Sequence, residues 1–383
     1  MYYWNGKDFL RFLSKCFFRN RGTNYRLTGK RLGVILLAMG IYIPAELLIW
    51  SGFYLDEILF PAYQEQTIRQ PVFIIGNPRS GTTYLQRLLA RDENNFLSMR
   101  TWEIFTAPSI LTRKIISLTA RIARAIGIQI THRIRRLERL WKESDRIHRL
   151  KLRAPEEDEY LFIHNFSTMK IWSFAAMEEE ADPYIYFDDK IPASQKNRMM
   201  DFYQACIKRH IHYRKGGSKH YLSKNPNFTP AIDTLLERFP DAKFIYLIRT
   251  PLKAIPSHVS LKEREWQMLG SPLEKYACRD FILRSSDHWY AYPLQKLKGL
   301  PEDQAVIVPF DDLVSNTKNT VQVIYHRLGL ELSPEFKDLL EVETQKAKNH
   351  RSQHRYSSEP MGIDPQRLQD RYAGIIEEYQ LRK

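Results

Sequence analysis

The chain has 383 residues, 43% hydrophobic and 27% charged, which is enough to bury a large core and unlike the composition of a disordered protein. Its three cysteines, Cys16, Cys206 and Cys278, lie far apart and form no CxxC pair, which argues against a disulfide framework or a zinc site and makes a reducing compartment the default. The formal charge of +14 is local: residues 1–31 carry eight Lys or Arg against Asp8, residues 113–153 carry thirteen against three acids, and the remainder is slightly acidic, so the surface is directional rather than generally polyanion-seeking.

Residues 1–66 read as a basic, aromatic and apolar extension that offers a membrane contact. Tyr2, Tyr3, Trp4, Phe9, Phe12, Phe17 and Phe18 alternate with basic residues, and an apolar stretch runs from Gly33 to Trp50. A spanning helix wants about 20 mostly apolar residues, and Pro44 and Glu46 interrupt this one, so an interfacial or core helix is expected rather than a crossing. The stretch lacks a small-residue cleavage site, and secretion is not expected.

From Pro71 onward, short apolar runs alternate with helical periodicity, which predicts a parallel sheet with helices on both faces. A strand is expected at 72–75, then a loop and a helix over 82–90. Residues 113–153 follow with Ile115, Leu118, Ile122, Ile126, Ile130, Ile134, Leu137 and Trp141 at steps of three or four, an amphipathic helical pattern. That pattern suits either packing on the domain or a basic face against anionic lipid or around an acceptor entrance. Nucleic acid is not an expected partner, because no recognisable DNA- or RNA-binding module accompanies the charge. Further strands are expected at 244–248, entered from a helix around 232–239, and at 305–308.

The segment VFIIGNPRSGTTYL, residues 72–85, combines a strand, a glycine-containing turn and a helix start. Glycines let the backbone approach an anion, and the first N–H groups of a helix have no internal partner. A nucleoside triphosphatase would carry GxxxxGK[ST], but here Thr82 and Thr83 follow Gly81, so a triphosphate with its metal is poorly served. A kinase using ATP is therefore the weaker enzyme reading, and magnesium dependence would separate it.

PRSGTTYL resembles the 5′-phosphosulfate loop of sulfotransferases that use 3′-phosphoadenosine-5′-phosphosulfate (PAPS), of general form P[RK]SGTT. With Arg at position 79 it looks most like the tyrosylprotein and bacterial branches. The resemblance runs over roughly residues 70 to 330 and implies that Arg79, Ser80, Gly81, Thr82 and Thr83 hold the donor. It places Tyr84 where cytosolic members carry an adenine-stacking tryptophan. Arg249 followed eight residues later by Ser257 is similar to the family's grip on the 3′-phosphate, with Thr250 a candidate N-cap and Pro251 at the first helical position. Pro256 is expected to kink or end that helix just before Ser257.

Sulfuryl transfer needs a cation on the leaving phosphate and a base for the acceptor proton. Arg79 is one candidate cation, and Lys224, in YLSKNPN, looks like the family lysine on the bridging oxygen. Cytosolic members place a histidine base two residues beyond that lysine, where this chain has Pro226. Tyrosylprotein members use a glutamate a little over twenty residues after the loop, a setting that Glu103 matches, with Trp102 beside it to exclude water. Glu156, Glu157, Asp158 and Glu159 after Pro155 are rival carboxylates that also read as an ordinary helix N-terminus. His350 and His354, among Arg351, Arg355 and Tyr356, read as solvated loop residues or as a flap over the nucleotide.

The expected fold is α/β, a three-layer P-loop-type fold with a central parallel sheet and a helical insert at 108–195, the domain running over 67–383. The expected activity is PAPS-dependent sulfuryl transfer to a hydroxyl of a hydrophobic or membrane-associated acceptor, with no metal. A catalytically inactive membrane adaptor is the rival from another class, opposed by the presence together of Arg79, Lys224, Arg249 and Ser257. A cytoplasmic location is expected, with peripheral attachment to an anionic membrane surface as an open option.

Overall fold

A computed structural model describes residues 3–127, 151–349 and 358–382. Strands β1 (Val72–Ile75), β2 (Phe96–Leu97), β3 (His220–Lys224), β4 (Lys243–Ile248) and β5 (Ala305–Pro309) form one parallel sheet in the order β2-β3-β1-β4-β5. Every residue of β1 and β4 is buried. Strands covered on both faces read as continuous apolar runs, which is why these two were visible without alternation.

The two faces of the sheet feed two cores. Phe73 and Ile75 join one with Phe244, Tyr246, Trp289 and Tyr290, whereas Val72 and Ile74 join the other with Leu85, Leu88, Val321 and Ile324. Helices on both sides of a parallel sheet make the three layers expected. Central β1 has β3 on one side, with Ile74 opposite Lys224, and β4 on the other, with Ile75 opposite Tyr246. Chain order reverses there, so the carboxyl end of β1 is where an open sheet of this kind opens a crevice for ligands.

The N-terminal region does not stand apart. Helix α1 (Gly6–Phe17) and helix α2 (Gly29–Leu59) contribute Phe12, Cys16, Ile35, Ile49 and Phe53 to the same core as Phe73. Helix α2 is longer than the apolar stretch foreseen, and Pro44 lies inside it without ending it. Its inward stripe holds the polar anchors. Tyr42 donates to the Ile163 carbonyl at 2.9 Å, Glu46 lies 2.8 Å from His164, and the Trp50 indole donates to the His164 carbonyl at 2.8 Å.

Loop and helix α3 (Thr82–Leu89) follow β1, and the short α4 (Thr101–Phe105) follows β2. Helix α5 (Ile110–Ala125) is capped by Ser109 and by Asp56 of α2, which accepts from the backbone of Ile110 and Leu111 at 2.8 Å each and pairs with Arg209. The described parts of 108–195 contribute no strand to the sheet, as an insert should. Ile130, Ile134, Leu137 and Trp141 of the periodic segment, and His350, His354 and their neighbours, lie outside the described residues.

Candidate active site

The carboxyl ends of β1, β3, β4 and β5 converge on one cleft, lined among others by Arg79, Gly81, Thr82, Thr83, Glu157, Lys170, Arg249, His258 and Phe310. The loop after β1 is built for close approach. Arg79 and Gly81 both have positive φ, at 71° and 89°, and a Cβ on Gly81 would lie 2.5 Å from the Phe310 ring. Helix α3 begins immediately afterwards, so its unpaired N–H groups face the loop.

Arg79 and the β4 element are stitched together. The Arg79 Nε donates to Ser257 Oγ at 3.0 Å, and Arg249 donates to the Arg79 carbonyl at 2.8 Å while its guanidinium lies 4.7 Å from the centre of the Phe310 ring. Tyr290 donates to the Arg249 carbonyl at 2.7 Å and fixes the end of β4. Pro256 does not interrupt this arrangement: the helix Pro251–Leu269 continues through it. Its missing N–H forfeits one bond near the helix start, which the following turns outlast. Thr250 occupies the N-cap position, but its hydroxyl makes no capping bond and is buried without a partner, as is that of Ser80.

Lys224, fully buried at the end of β3, reaches the cleft through two neighbours. Its Nζ donates to Thr83 Oγ1 at 3.2 Å and to Glu157 Oε1 at 2.7 Å. The other oxygen of Glu157 meets Lys170 at 2.7 Å. Burial works against the charge on Lys170, but Glu157 foremost, with Tyr160 and Glu159, outweighs it and holds the ammonium above its usual range. His258 is pushed the other way, first by burial and then by Lys262, Arg79 and Lys170, so its imidazole is neutral near pH 7.

The run Pro155 to Glu159 is not a helix start with solvated acids. All four carboxylates are buried, and Asp158 and Glu159 open a 3-10 turn over Asp158–Ile163 that sets this part of the insert against β3. Asp158 accepts from Tyr203, Tyr221 and Ser223 at 2.5, 2.9 and 2.9 Å, and Glu159 accepts from Thr168 and from Asn225. Burial pushes the Asp158 carboxyl up to about 6 despite these donors. Two acids thus lock the insert to the sheet, and a third is delivered to the cleft.

A model of the sulfotransferase family matches residues 71–334, a span that begins just before β1 and contains the loop, Lys224 and Arg249. The chain belongs to the sulfotransferase family. Among curated proteins, omega-hydroxy-beta-dihydromenaquinone-9 sulfotransferase Stf3 of Mycobacterium bovis and that of Mycobacterium tuberculosis are each 23% identical over 272 residues, covering 68% of this chain. The match spans 63% of the length of those relatives. Among solved structures, sulfotransferase STF9 from Mycobacterium avium superposes with a TM-score of 0.67 at 18% identity, over 86% of this chain and 81% of that one. Sulfotransferase STF1 from Mycobacterium tuberculosis H37Rv gives 0.64 at 18% identity, over 90% and 91%. These structures share the fold.

In this member of the family, Arg79, Gly81, Thr82, Thr83 and Arg249 border the cleft, Ser257 is bonded to Arg79, and Ser80 is buried in the loop. Tyr84 does not border the cleft; it is half-buried with its hydroxyl 3.3 Å from Thr317, against the core that holds Leu85 and Val321. Glu103 also departs from its expected place. It is fully buried, receives the Arg100 backbone N–H at 2.8 Å and pairs with Arg214 at 2.5 Å. Burial opposes its charge, but His210, Arg113, Arg214 and the Arg100 N–H together hold the carboxyl below the usual range. This paired carboxylate is not among the residues that line the cleft. Of the acids at 156–159, which sequence reasoning left as rivals, Glu157 is the one that lines the cleft.

Proposed function

We propose that this sulfotransferase transfers a sulfuryl group from PAPS to a hydroxyl of a hydrophobic acceptor, with Glu157 in place of Glu103 as the acceptor base. The observation that carries the reading is the meeting of Lys224, Glu157 and Thr83 beside the glycine loop, at the carboxyl edge where Arg79 and Arg249 also converge.

The site suits the donor by its own chemistry. The buried hydroxyls of Ser80 and Thr250 lack protein partners, and Gly81 lets the loop take a positive φ against the Phe310 ring, where a Cβ would clash. Arg79, Thr82 and Thr83 with the first N–H groups of α3 suit the phosphosulfate end, and Arg249 with Ser257 suits the 3′-phosphate. PAPS, when bound, supplies an activated sulfuryl group on a phosphate leaving group. The protein's part is alignment and charge: Lys224 and Arg79 neutralise the phosphate, and Glu157 accepts the hydroxyl proton. Tyr160, Met169, Phe174 and Leu261 give the cleft an apolar wall, which supports a greasy acceptor, as does the menaquinone derivative in the name of the Stf3 relatives. The test is turnover of labelled PAPS without metal, comparing long-chain alcohols and quinols with soluble sugars. Transfer to the apolar hydroxyls supports the reading, and transfer only to sugars contradicts the acceptor class.

A further inference from the structure

Helix α2 reverses the usual arrangement, with its polar groups facing the protein and its apolar groups facing outward. Arg31, Glu46 and Asp56 are buried against the domain, whereas Leu36, Leu37, Ile41, Leu47, Leu48 and Ile58 are exposed, Leu37 at 67% and Leu48 at 71%. Helix α5 packs beside it, capped by Asp56, and extends the outer surface with Ile115, Leu118, Ile122 and Ile126. Soluble proteins rarely leave contiguous apolar patches larger than a few hundred Å² uncovered.

The exposed charges that α2 and α5 carry on this surface are positive. No acid lies on the outward face of α2: Glu46 and Asp56 point inward, and Glu57 pairs with Arg209. Helix α5 contains no acid at all, and Lys114, Arg121 and Arg124 on it are exposed. An apolar face rimmed by cations complements an anionic phospholipid surface, where hydrocarbon lies under phosphate headgroups.

By length and composition α2 is able to cross a bilayer, but its attachments oppose that. Lys30 bonds to the Gln267 carbonyl and Arg31 to that of Leu269 at 3.2 Å, and Tyr42, Glu46, Trp50 and Asp56 continue the attachment along the helix. A crossing would carry those carbonyls, His164 and Arg209 to the depth of the acyl chains, where polar groups are costly.

We propose that α2 and α5 form a monotopic docking face, α2 lying in the plane of an anionic phospholipid bilayer with its outer Leu and Ile side chains below the headgroups. Lys114, Arg121 and Arg124 then meet lipid phosphates. The elements that α2 grips also border the cleft: the Asp158–Ile163 turn contributes Tyr160, and the helix Pro251–Leu269 contributes His258 and Leu261. Docking would hold the cleft next to lipid. The docking itself does not depend on the donor or acceptor assigned above.

The experiment is co-sedimentation of the full-length protein with vesicles of phosphatidylcholine, alone or mixed with phosphatidylglycerol. Binding to the anionic vesicles should be about tenfold or more stronger and should weaken with salt. The double variant Leu37→Glu, Leu48→Glu should lose that binding at least tenfold, and Arg121→Glu, Arg124→Glu should reduce it to the level on neutral vesicles. Both pairs are exposed, so circular dichroism and thermal unfolding should match the wild type. Fluorophores at Leu36→Cys and Ile58→Cys should report one shallow depth to lipid-borne quenchers. No vesicle binding, binding unaffected by the glutamates, or opposite depths at the two labels would overturn the proposal. So would a lipid-free dimer that the same glutamates dissociate, which would give the face to a second copy of the chain.

Discussion

The Lys224 ammonium and the Glu157 carboxylate lie 2.7 Å apart although 67 residues separate them, and each is buried on a different layer of the fold. Lys224 ends a sheet strand, whereas Glu157 is carried in by the insert, so the pair forms only when the insert is seated. This contact joins the glycine-loop edge to the side of the cleft with apolar walls.

Removing either partner should affect chemistry more than donor binding. Glu157→Gln keeps the shape and loses the proton acceptor, and kcat should fall about 10²–10⁴-fold, the usual contribution of a positioned base. Binding of adenosine 3′,5′-bisphosphate should change little. His258, neutral and in the same cleft, is the control: an inactive His258→Asn with an active Glu157→Gln would move the base to the imidazole.

Glu103 should behave as a structural anion. Glu103→Gln leaves Arg214 and Arg113 without their carboxylate, and chemical denaturation should show a loss of about 2–4 kcal/mol with turnover largely kept in the folded fraction. Its carboxyl is more acidic in the fold than in the unfolded chain. The wild-type stabilisation is therefore complete above the unfolded pKa of about 4.3 and lost as pH falls through the lower folded value. The variant should lack that acid-side loss. Abolished turnover at unchanged stability would restore Glu103 as the base.

Asp158 gives the opposite slope. Its folded pKa of about 6 lies above the ordinary value of about 3.9, so the fold binds the extra proton and this group's contribution to stability declines as pH rises from about 4 to 6. Titration of the carboxyl by NMR should locate the midpoint near 6, and a midpoint at or below the ordinary value would contradict the burial argument.

The loop should not tolerate a side chain at residue 81. Gly81→Ala meets both the positive φ and the Phe310 ring, so bisphosphate binding should weaken about fivefold or more, for a cost of about 1–3 kcal/mol. Isothermal titration against the wild type checks this.

The parts legible in the sequence were those with local causes. β1, its loop and α3 could be read because a strand buried on both faces is a short apolar run and an anion loop needs glycine. Lys224 and Arg249 were found because each closes such a run. Glu157 was obscured because acids after Pro155 are also how an ordinary helix begins; four successive acids leading into the apolar run YLFI were the available hint of burial. Glu103 was misplaced because distance from the loop along the chain says nothing of Arg214, its partner 111 residues away. β2 has two residues and no pattern to detect, and the outer turns of α2 are held by tertiary contacts that hydropathy does not register.

The most direct test of the central claim is calorimetric titration of the wild type and Arg249→Ala, without metal, against adenosine 3′,5′-bisphosphate, with ATP and magnesium as comparison. The account predicts bisphosphate binding to the wild type that weakens about tenfold or more in the variant, the loss expected for charge-assisted hydrogen bonds. Binding of ATP with magnesium and none of the bisphosphate would contradict it and return the site to a kinase.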